Sequence, residues 1–399
     1  MNRHILPGST IGIIGGGQLG QMMAHAAQQM GYYVSVLDPD PDAPACRVTD
    51  RRIIGRYDDA RHIALLRQSC DVITYEFENV DPEPLHTLSD EGYALHPHPR
   101  ALFIARNRSR EKRFAESCGF HCVPFVDGLM LDPTSPQQMQ KIVEAAVSLG
   151  DTIMKTEEGG YDGKGQLPLR DLSEEQITQR LAEFHTSLGA TSAVPVVLEK
   201  RMQFRFEFSM IASRFTDGSF RIFPAFENSH RNGILHRTIC PAVLPDEELQ
   251  HCHGSMRRLL SELDYFGVLT VEFFFSEDGH IMFNEMAPRP HNSGHLTIEG
   301  CGISQFEQHI RSICGLPPGE PALHRPAGML NLVAPYRPIA EIADALLKER
   351  DCHLHLYGKR QEKAGRKMGH VTVLADSREE LIARLDRVEE IVFGRIERL

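Results

Sequence analysis

The strongest constraint on the fold lies near the start of the chain. Thr10-Ile11-Gly12-Ile13-Ile14 is a short β-rich run, and Gly15-Gly16-Gly17-Gln18-Leu19-Gly20 follows it directly. A helical stretch from Gln18 to Met30 comes next, with Gly31 suited to its C-cap. Tyr33 to Leu37 predicts a second strand, ended by Asp38 and the prolines at 39 and 41, before a helix over 58–69 and a strand around Val72-Ile73-Thr74. Strand and helix in alternation define a parallel sheet covered by helices.

The glycine turn is a G-x-G-x-x-G between strand and helix, where backbone amides at a helix start favour an anion. Asp38 falls where a dinucleotide-binding domain keeps its ribose carboxylate, so a nicotinamide cofactor, a single phosphate site and a plain tight turn all fit these residues.

Beyond this unit the signals mix. Ala101 to Cys118 reads as one charged helix; strands are expected at 152–155, 194–199, 207–212 and 221–226, with helices at 173–188 and 244–263. Two strands, 271–275 and 280–286, flank Asp278-Gly279, and the Pro-rich stretch 315–326 leads to a C-terminal unit ending in a helix over 377–393.

Composition narrows the function. With 399 residues the chain can build two or three domains, and its net charge of −11 argues against general nucleic-acid binding. No apolar run approaches bilayer length and the N-terminus lacks a signal-peptide pattern, so no membrane partner and a cytoplasmic location are expected. Nine cysteines without framework or zinc spacing read as free thiols.

Four further constellations carry chemistry. Gly159-Gly160-Tyr161-Asp162-Gly163-Lys164-Gly165-Gln166 follows the strand ending at Lys155; such a loop can wrap a polyphosphate, although Lys164 precedes Gly165 and not the Ser or Thr of a Walker loop. If Asp278-Gly279 is a two-residue turn, Glu272 falls opposite Glu285, with Cβ atoms roughly 5 Å apart. Like charges so placed among apolar neighbours call for a cation between them, and oxygen ligands of this kind, with Asn284 beside them, suit Mg²⁺. Arg289-Pro290-His291-Asn292-Ser293-Gly294-His295 offers hydrogen-bond donors next to that hairpin; Pro290 and Gly294 disfavour a helical His291/His295 metal pair. Lys359, Arg360, Lys363, Arg366 and Lys367 form a basic cluster in an acidic chain; a solvated positive face is the usual meaning of such a run, and a phosphate-bearing substrate the sharper one.

These segments in this order resemble ATP-grasp ligases, and most closely the 5-(carboxyamino)imidazole ribonucleotide synthases, from Gly12 to about Leu374. The specific parts are Gly15 to Gly20, Thr74-Tyr75-Glu76-Phe77-Glu78-Asn79, Gly159 to Gln166, Asn284 to His295, and Tyr357-Gly358-Lys359 with Gly365 to His370. The resemblance implies an α/β and α+β chain: a Rossmann-like pre-ATP-grasp domain (1–102), an ATP-grasp domain (103–322) with a mobile lid at about 125–200, and a small β-rich C-terminal domain (323–399). It implies ATP and Mg²⁺ (or Mn²⁺) as cofactors, aminoimidazole ribonucleotide and bicarbonate as small-molecule substrates, and a homodimer.

By the same resemblance, Arg108, Lys155 and Gly160, Tyr161, Asp162, Gly163, Lys164, Gly165 and Gln166 hold the ATP phosphates. Glu199, Lys200, Arg201 and Met202 frame the adenine, Glu207 takes the ribose with His230 nearby, and Glu272 and Glu285 ligate the metal beside Asn284. Gln18, Leu19, Lys359 and Arg366 surround the substrate phosphate; Glu76, Arg289, His291 and Asn292 line the imidazole and bicarbonate end. The groups nearest the chemistry are Tyr161, Asp162, Lys164, Arg289, His291 and Asn292. Two departures stand in the ATP lobe: Glu157-Glu158 where the family carries a basic residue, and Phe206 where it has Lys or Arg. The competing expectations are another ATP-grasp carboxylate–amine ligase, a nicotinamide-dependent oxidoreductase built on the glycine turn, and a non-catalytic nucleotide sensor.

Overall fold

The computed structural model describes residues 4–76, 82–159 and 165–394. Among them, the strands form three sheets. The first is parallel, in the order Arg51–Ile54, Tyr33–Asp38, Thr10–Ile14, Val72–Tyr75. The Gln18–Gln29 helix packs on it through Leu19, Met22, Met23, Ala26 and Ala27, and Gly31 leaves the helix at φ 85°. The Arg51–Ile54 strand escaped prediction because three of its four residues face solvent, leaving no apolar alternation to read.

The single helix expected over 101–118 is two, Pro99–Ala105 and Arg108–Ser117. Asn107 divides them: its side chain accepts from the amide of Arg110 at 2.9 Å and starts the second helix afresh. Arg108 thereby stands in a first turn, aimed across the molecule instead of along a continuous rod.

The second sheet is a unit of its own, antiparallel, in the order Phe125–Leu131, Val194–Lys200, Thr152–Thr156, Gln166–Leu169. The helices Pro136–Leu149 and Glu174–Ser187 cover it, enclosing Ile142, Val143, Met154, Leu181, Val196 and Leu198 in a separate core. Ser173 and Gln176 cap the second helix reciprocally.

The third and largest sheet runs from Ile281–Ala287 through Gly267–Ser276, Phe204–Arg214, Phe226–Arg231, Ile234–Cys240, Ala327–Val333 and Lys367–Leu374 to Cys352–Leu356. Pairing of Ile234–Cys240 with Ala327–Val333 carries it without interruption past residue 322. The strand expected over 221–226 is split into Phe220–Ile222 and the start of Phe226–Arg231, with Pro224 between them unable to donate to a ladder.

The carboxylate hairpin reaches the expected pairing by a different route. Its turn is longer than two residues: the amide of Ser276 donates to His280 O at 2.9 Å, and Phe275 pairs with Ile281. That register would set Glu272 against Asn284, but a β-bulge between Glu272 and Phe273 on the ladder leaves Asn284 as an extra residue and restores Glu272 opposite Glu285.

Candidate active site between the lid and the large sheet

One cleft gathers most of the residues singled out by sequence. Arg108, Lys155, Gln166, Glu199, Lys200, Arg201, Met202, Glu207, His230, Glu272, Asn284, Glu285, Arg289, His291 and Asn292 all line it. Lys367 of the basic cluster lines it too, as does Glu111, which has no signal in the sequence. Gly165 lies just outside, beside a neighbouring hollow. Gly160, Tyr161, Asp162, Gly163 and Lys164 lie outside the described residues, as do Phe77, Glu78 and Asn79.

At the lid end, Lys155 Nζ meets Glu199 Oε2 at 2.8 Å, and the other oxygen of Glu199 faces Lys112 Nζ at 3.3 Å. Burial alone would keep this carboxyl protonated, but Lys112 and Lys155 hold it ionised, with a pKa of about 2. Burial also lowers the pKa of Lys155, partly offset by Glu199. Two ammonium groups and one carboxylate leave a net positive charge at the back of the cleft, which suits a polyphosphate. The Glu199 side chain is turned inward to these lysines, while Lys200, Arg201 and Met202 follow it along the wall of the cleft. Farther along, Glu207 is hydrogen-bonded to His230; burial opposes the imidazolium, yet this bond and the nearby carboxylates raise its pKa overall.

The departures from the family pattern have visible work. Glu157 accepts from Ser109 Oγ at 2.5 Å and Asn107 Nδ2 at 2.9 Å, while Glu158 meets Arg110 at 3.1 Å. These acids pin the lid strand to the start of the Arg108–Ser117 helix. Phe206 packs on Phe275 with ring centroids 5.1 Å apart.

Glu272 and Glu285 share the cleft, each with a side-chain partner of its own. Glu285 Oε2 is 3.3 Å from Arg108 Nη1, and Glu272 Oε1 is 2.8 Å from His291 Nε2. Burial works against ionising Glu272, but His291, His230 and Arg289 hold its pKa down at about 2. His291 is fixed from behind: Gln305 accepts from its amide at 2.9 Å and donates to its carbonyl at 2.7 Å, and Ser293 Oγ lies 2.9 Å from Nδ1. Beside it Asn292 is buried, and among the described residues neither its amide nitrogen nor its oxygen has a partner. A buried amide without partners is costly unless a ligand completes it.

The glycine turn binds anions, but they are the protein's own. Asp38 Oδ2 accepts from the amide of Gly16 at 2.6 Å, and Glu76 accepts from Gly17 and, at 2.6 Å, from Gly20. A Cβ on Gly17 would stand 2.5 Å from Glu76 Oε1, and one on Gly16 would stand 3.0 Å from Asp38 Oδ2. The glycines therefore admit two carboxylates where a dinucleotide would need its pyrophosphate, and the nicotinamide reading falls. The amides of Gln18 and Leu19 have no acceptor among the described residues and remain available to a smaller anion. Near them lies the basic cluster: Lys359 Nζ donates to Lys367 O at 2.7 Å, and burial, with Arg366 close by, brings its pKa down to about 8.

A separate four-stranded sheet across one cleft from a bulged carboxylate hairpin, with a lysine from the former and acids from the latter lining it, defines an ATP-grasp enzyme. Family models agree along the chain: a ribonucleotide synthetase preATP-grasp domain at 8–106, an ATP-grasp domain at 133–306 and a phosphoribosylaminoimidazole carboxylase C-terminal domain at 327–384. The N5-carboxyaminoimidazole ribonucleotide synthase of Bacillus subtilis is 41% identical over 386 residues, 96% of this chain and 97% of that one. That of Brucella melitensis is 42% identical, covering 92% of this chain and 96% of its own. The Staphylococcus aureus enzyme solved with ADP superposes with a TM-score of 0.86 at 36% identity, over 97% of this chain and 98% of that one. The Aspergillus clavatus enzyme, solved with ADP and 5-aminoimidazole ribonucleotide, gives 0.84 at 28% identity, over 96% and 98%. The chain belongs to the N5-carboxyaminoimidazole ribonucleotide synthases, ATP-dependent ligases that carboxylate aminoimidazole ribonucleotide in purine biosynthesis.

Proposed function

We propose that this cleft forms carboxyphosphate from ATP and bicarbonate and delivers its carbon dioxide to the exocyclic amine of aminoimidazole ribonucleotide. A bicarbonate oxygen takes the γ-phosphoryl group and ADP leaves; carboxyphosphate then breaks to phosphate and carbon dioxide. The amine nitrogen forms the new N–C bond and gives up a proton, yielding 5-carboxyaminoimidazole ribonucleotide.

Lys155 and Arg108 neutralise charge on the transferring phosphoryl group, whose displacement is mainly a matter of positioning and electrostatics. Glu272 and Glu285 would hold Mg²⁺ or Mn²⁺: two carboxylates paired across one ladder and lining the same cleft as Lys155 fit a hard cation that would complete its shell with phosphate oxygens. When bound, that ion supplies charge stabilisation on the β- and γ-phosphates. Arg289, His291 and Asn292 orient bicarbonate and the imidazole; Gln18, Leu19, Lys359 and Arg366 receive the ribonucleotide phosphate. Tyr161, Asp162 and Lys164, in the glycine loop, complete the enclosure that keeps water from carboxyphosphate. The reading includes a cytoplasmic homodimer; no helix among the described residues is long and apolar enough to cross a membrane.

The observation that carries this reading is the buried, unpartnered amide of Asn292, set beside His291 in the same cleft as Lys155 and the two carboxylates. The test is ADP release with and without ribonucleotide, bicarbonate and Mg²⁺. Turnover should need all three, and turnover indifferent to the ribonucleotide would assign the site to a different amine.

A further inference from the structure

The Arg108–Ser117 helix brings more than Arg108 to the cleft. Arg108, Glu111 and Lys112 are spaced so that they share one helix face. The last two are almost wholly buried, at 3% and 1% exposure. Burying a carboxyl and an ammonium group is a poor way to gain stability, since apolar residues of similar size serve as well or better. Their partners indicate another purpose.

Glu111 Oε1 accepts from the amide of Met286 at 2.6 Å, and Lys112 Nζ donates to the carbonyl of Asn284 at 3.2 Å. These two backbone groups flank Glu285. Asn284 is the extra residue of the bulge, and a bulge residue loses its ladder partner. Lys112 supplies one, and the bulge is what places Glu285 opposite Glu272. Lys112 also faces Glu199 Oε1 at 3.3 Å, while Glu199 Oε2 takes Lys155 Nζ at 2.8 Å. One side chain thus touches both the strand that carries the metal carboxylate and the acid that holds the phosphate lysine.

We propose that Glu111 and Lys112 are positioning residues of the metal–nucleotide site. Glu111 sets the direction of Glu285 through the Met286 amide; Lys112 fixes the bulge and, through Glu199, keeps Lys155 in register with it. The inference rests on the assignment of Glu285 and Lys155 to the metal and the nucleotide phosphates. Glu111 takes the Met286 amide on one carboxyl oxygen. Glutamine can make the same bond; leucine cannot.

The test titrates Mn²⁺ with a non-hydrolysable ATP analogue into the full chain, read by the Mn²⁺ resonance signal, beside thermal melts and KM for ATP. Glu111→Leu should weaken Mn²⁺–nucleotide binding about ten-fold or more, in the range seen when the supports of metal ligands are removed. Glu111→Gln should recover most of that loss. Lys112→Met should weaken the metal and raise the KM for ATP together, because Lys112 reaches both. If Glu111→Leu does not fold, Glu111→Asp, which keeps the acid but shortens its reach, should show the same weakening. Unchanged Mn²⁺ affinity in the folded leucine or aspartate variant, or equal losses in glutamine and leucine, overturns the proposal. A wild-type chain that binds Mn²⁺–nucleotide but does not respond to the ribonucleotide would sink the substrate assignment and leave the positioning result standing. A wild-type chain that binds no Mn²⁺–nucleotide overturns both.

Discussion

Glu76 closes the start of the Gln18–Gln29 helix by accepting from the amide of Gly17, and with its other oxygen from Gly20. The free amides at that end of a helix need acceptors, and here the chain supplies one from a neighbouring strand end. The glycines are needed because any Cβ at 17 would collide with the carboxylate. Gly17→Ala should therefore cost about 1–3 kcal/mol in chemical denaturation, by forcing Glu76 off its donors. The KM for the ribonucleotide should rise as well, because the same helix start presents Gln18 and Leu19. An alanine variant with full stability and unchanged KM would show that the carboxylate contact is dispensable.

Glu285→Gln tests the metal assignment directly. The substitution keeps size and removes one charge from a side chain that is 44% exposed, so the melting temperature should move by no more than about 2 °C. Ribonucleotide-dependent ADP release should fall by about a hundred-fold or more, the scale expected when a group holding transition-state charge is lost. Near-normal turnover at an unchanged Mg²⁺ concentration would remove Glu285 from the metal site.

The N-terminal alternation and the opposed acids were legible because they rest on short-range rules: period-two strands, a glycine C-cap and hairpin counting. Counting succeeded at Glu272 and Glu285 for a compensated reason, since a longer turn and a bulge at Asn284 offset each other. The split at Asn107 was readable in principle, as an Asn before a charged helical run is a cap signal. The buried trio Lys112, Glu199 and Lys155 was not, because its members come from separate elements and only tertiary packing turns ordinary surface residue types inward. For the same reason Asp38 was placed correctly at a strand end, but its partner, Gly16, could not be told from a ligand.

That trio makes a pH prediction. Glu199 has a folded pKa of about 2 against an ordinary 4.5, so between those values the unfolded chain binds the extra proton. Its contribution is complete above about 4.5 and is lost as pH falls toward 2. Glu199→Gln should flatten the acid limb of stability in this window. At pH 7 it should cost on the order of 3 kcal/mol, because two buried ammonium groups lose their counter-charge. Urea midpoints from pH 3 to 7 for both proteins measure it, and parallel curves would show that Glu199 does not set the acid limb.

Lys359 makes the complementary prediction at the alkaline side. Burial and the neighbouring Arg366 bring its pKa to about 8, so in the free enzyme its positive charge fades as pH rises through that value. The substrate phosphate is already a dianion there, its second ionisation lying near pH 6. Loss of the lysine charge therefore weakens attraction without any change in the ligand. The ratio kcat/KM for the ribonucleotide should decline above pH 8, while the KM for ATP, whose phosphates are assigned to the separate Lys155 and Arg108 end of the cleft, should stay level over the same range. A bound phosphate stabilises the ammonium form, so the decline in kcat should be displaced to higher pH than that in kcat/KM. Lys359→Arg keeps its charge throughout and should extend the plateau even if its absolute rate is lower. If both proteins lose kcat/KM at the same pH, the titrating group is not Lys359, and its place at the substrate phosphate has to be given up.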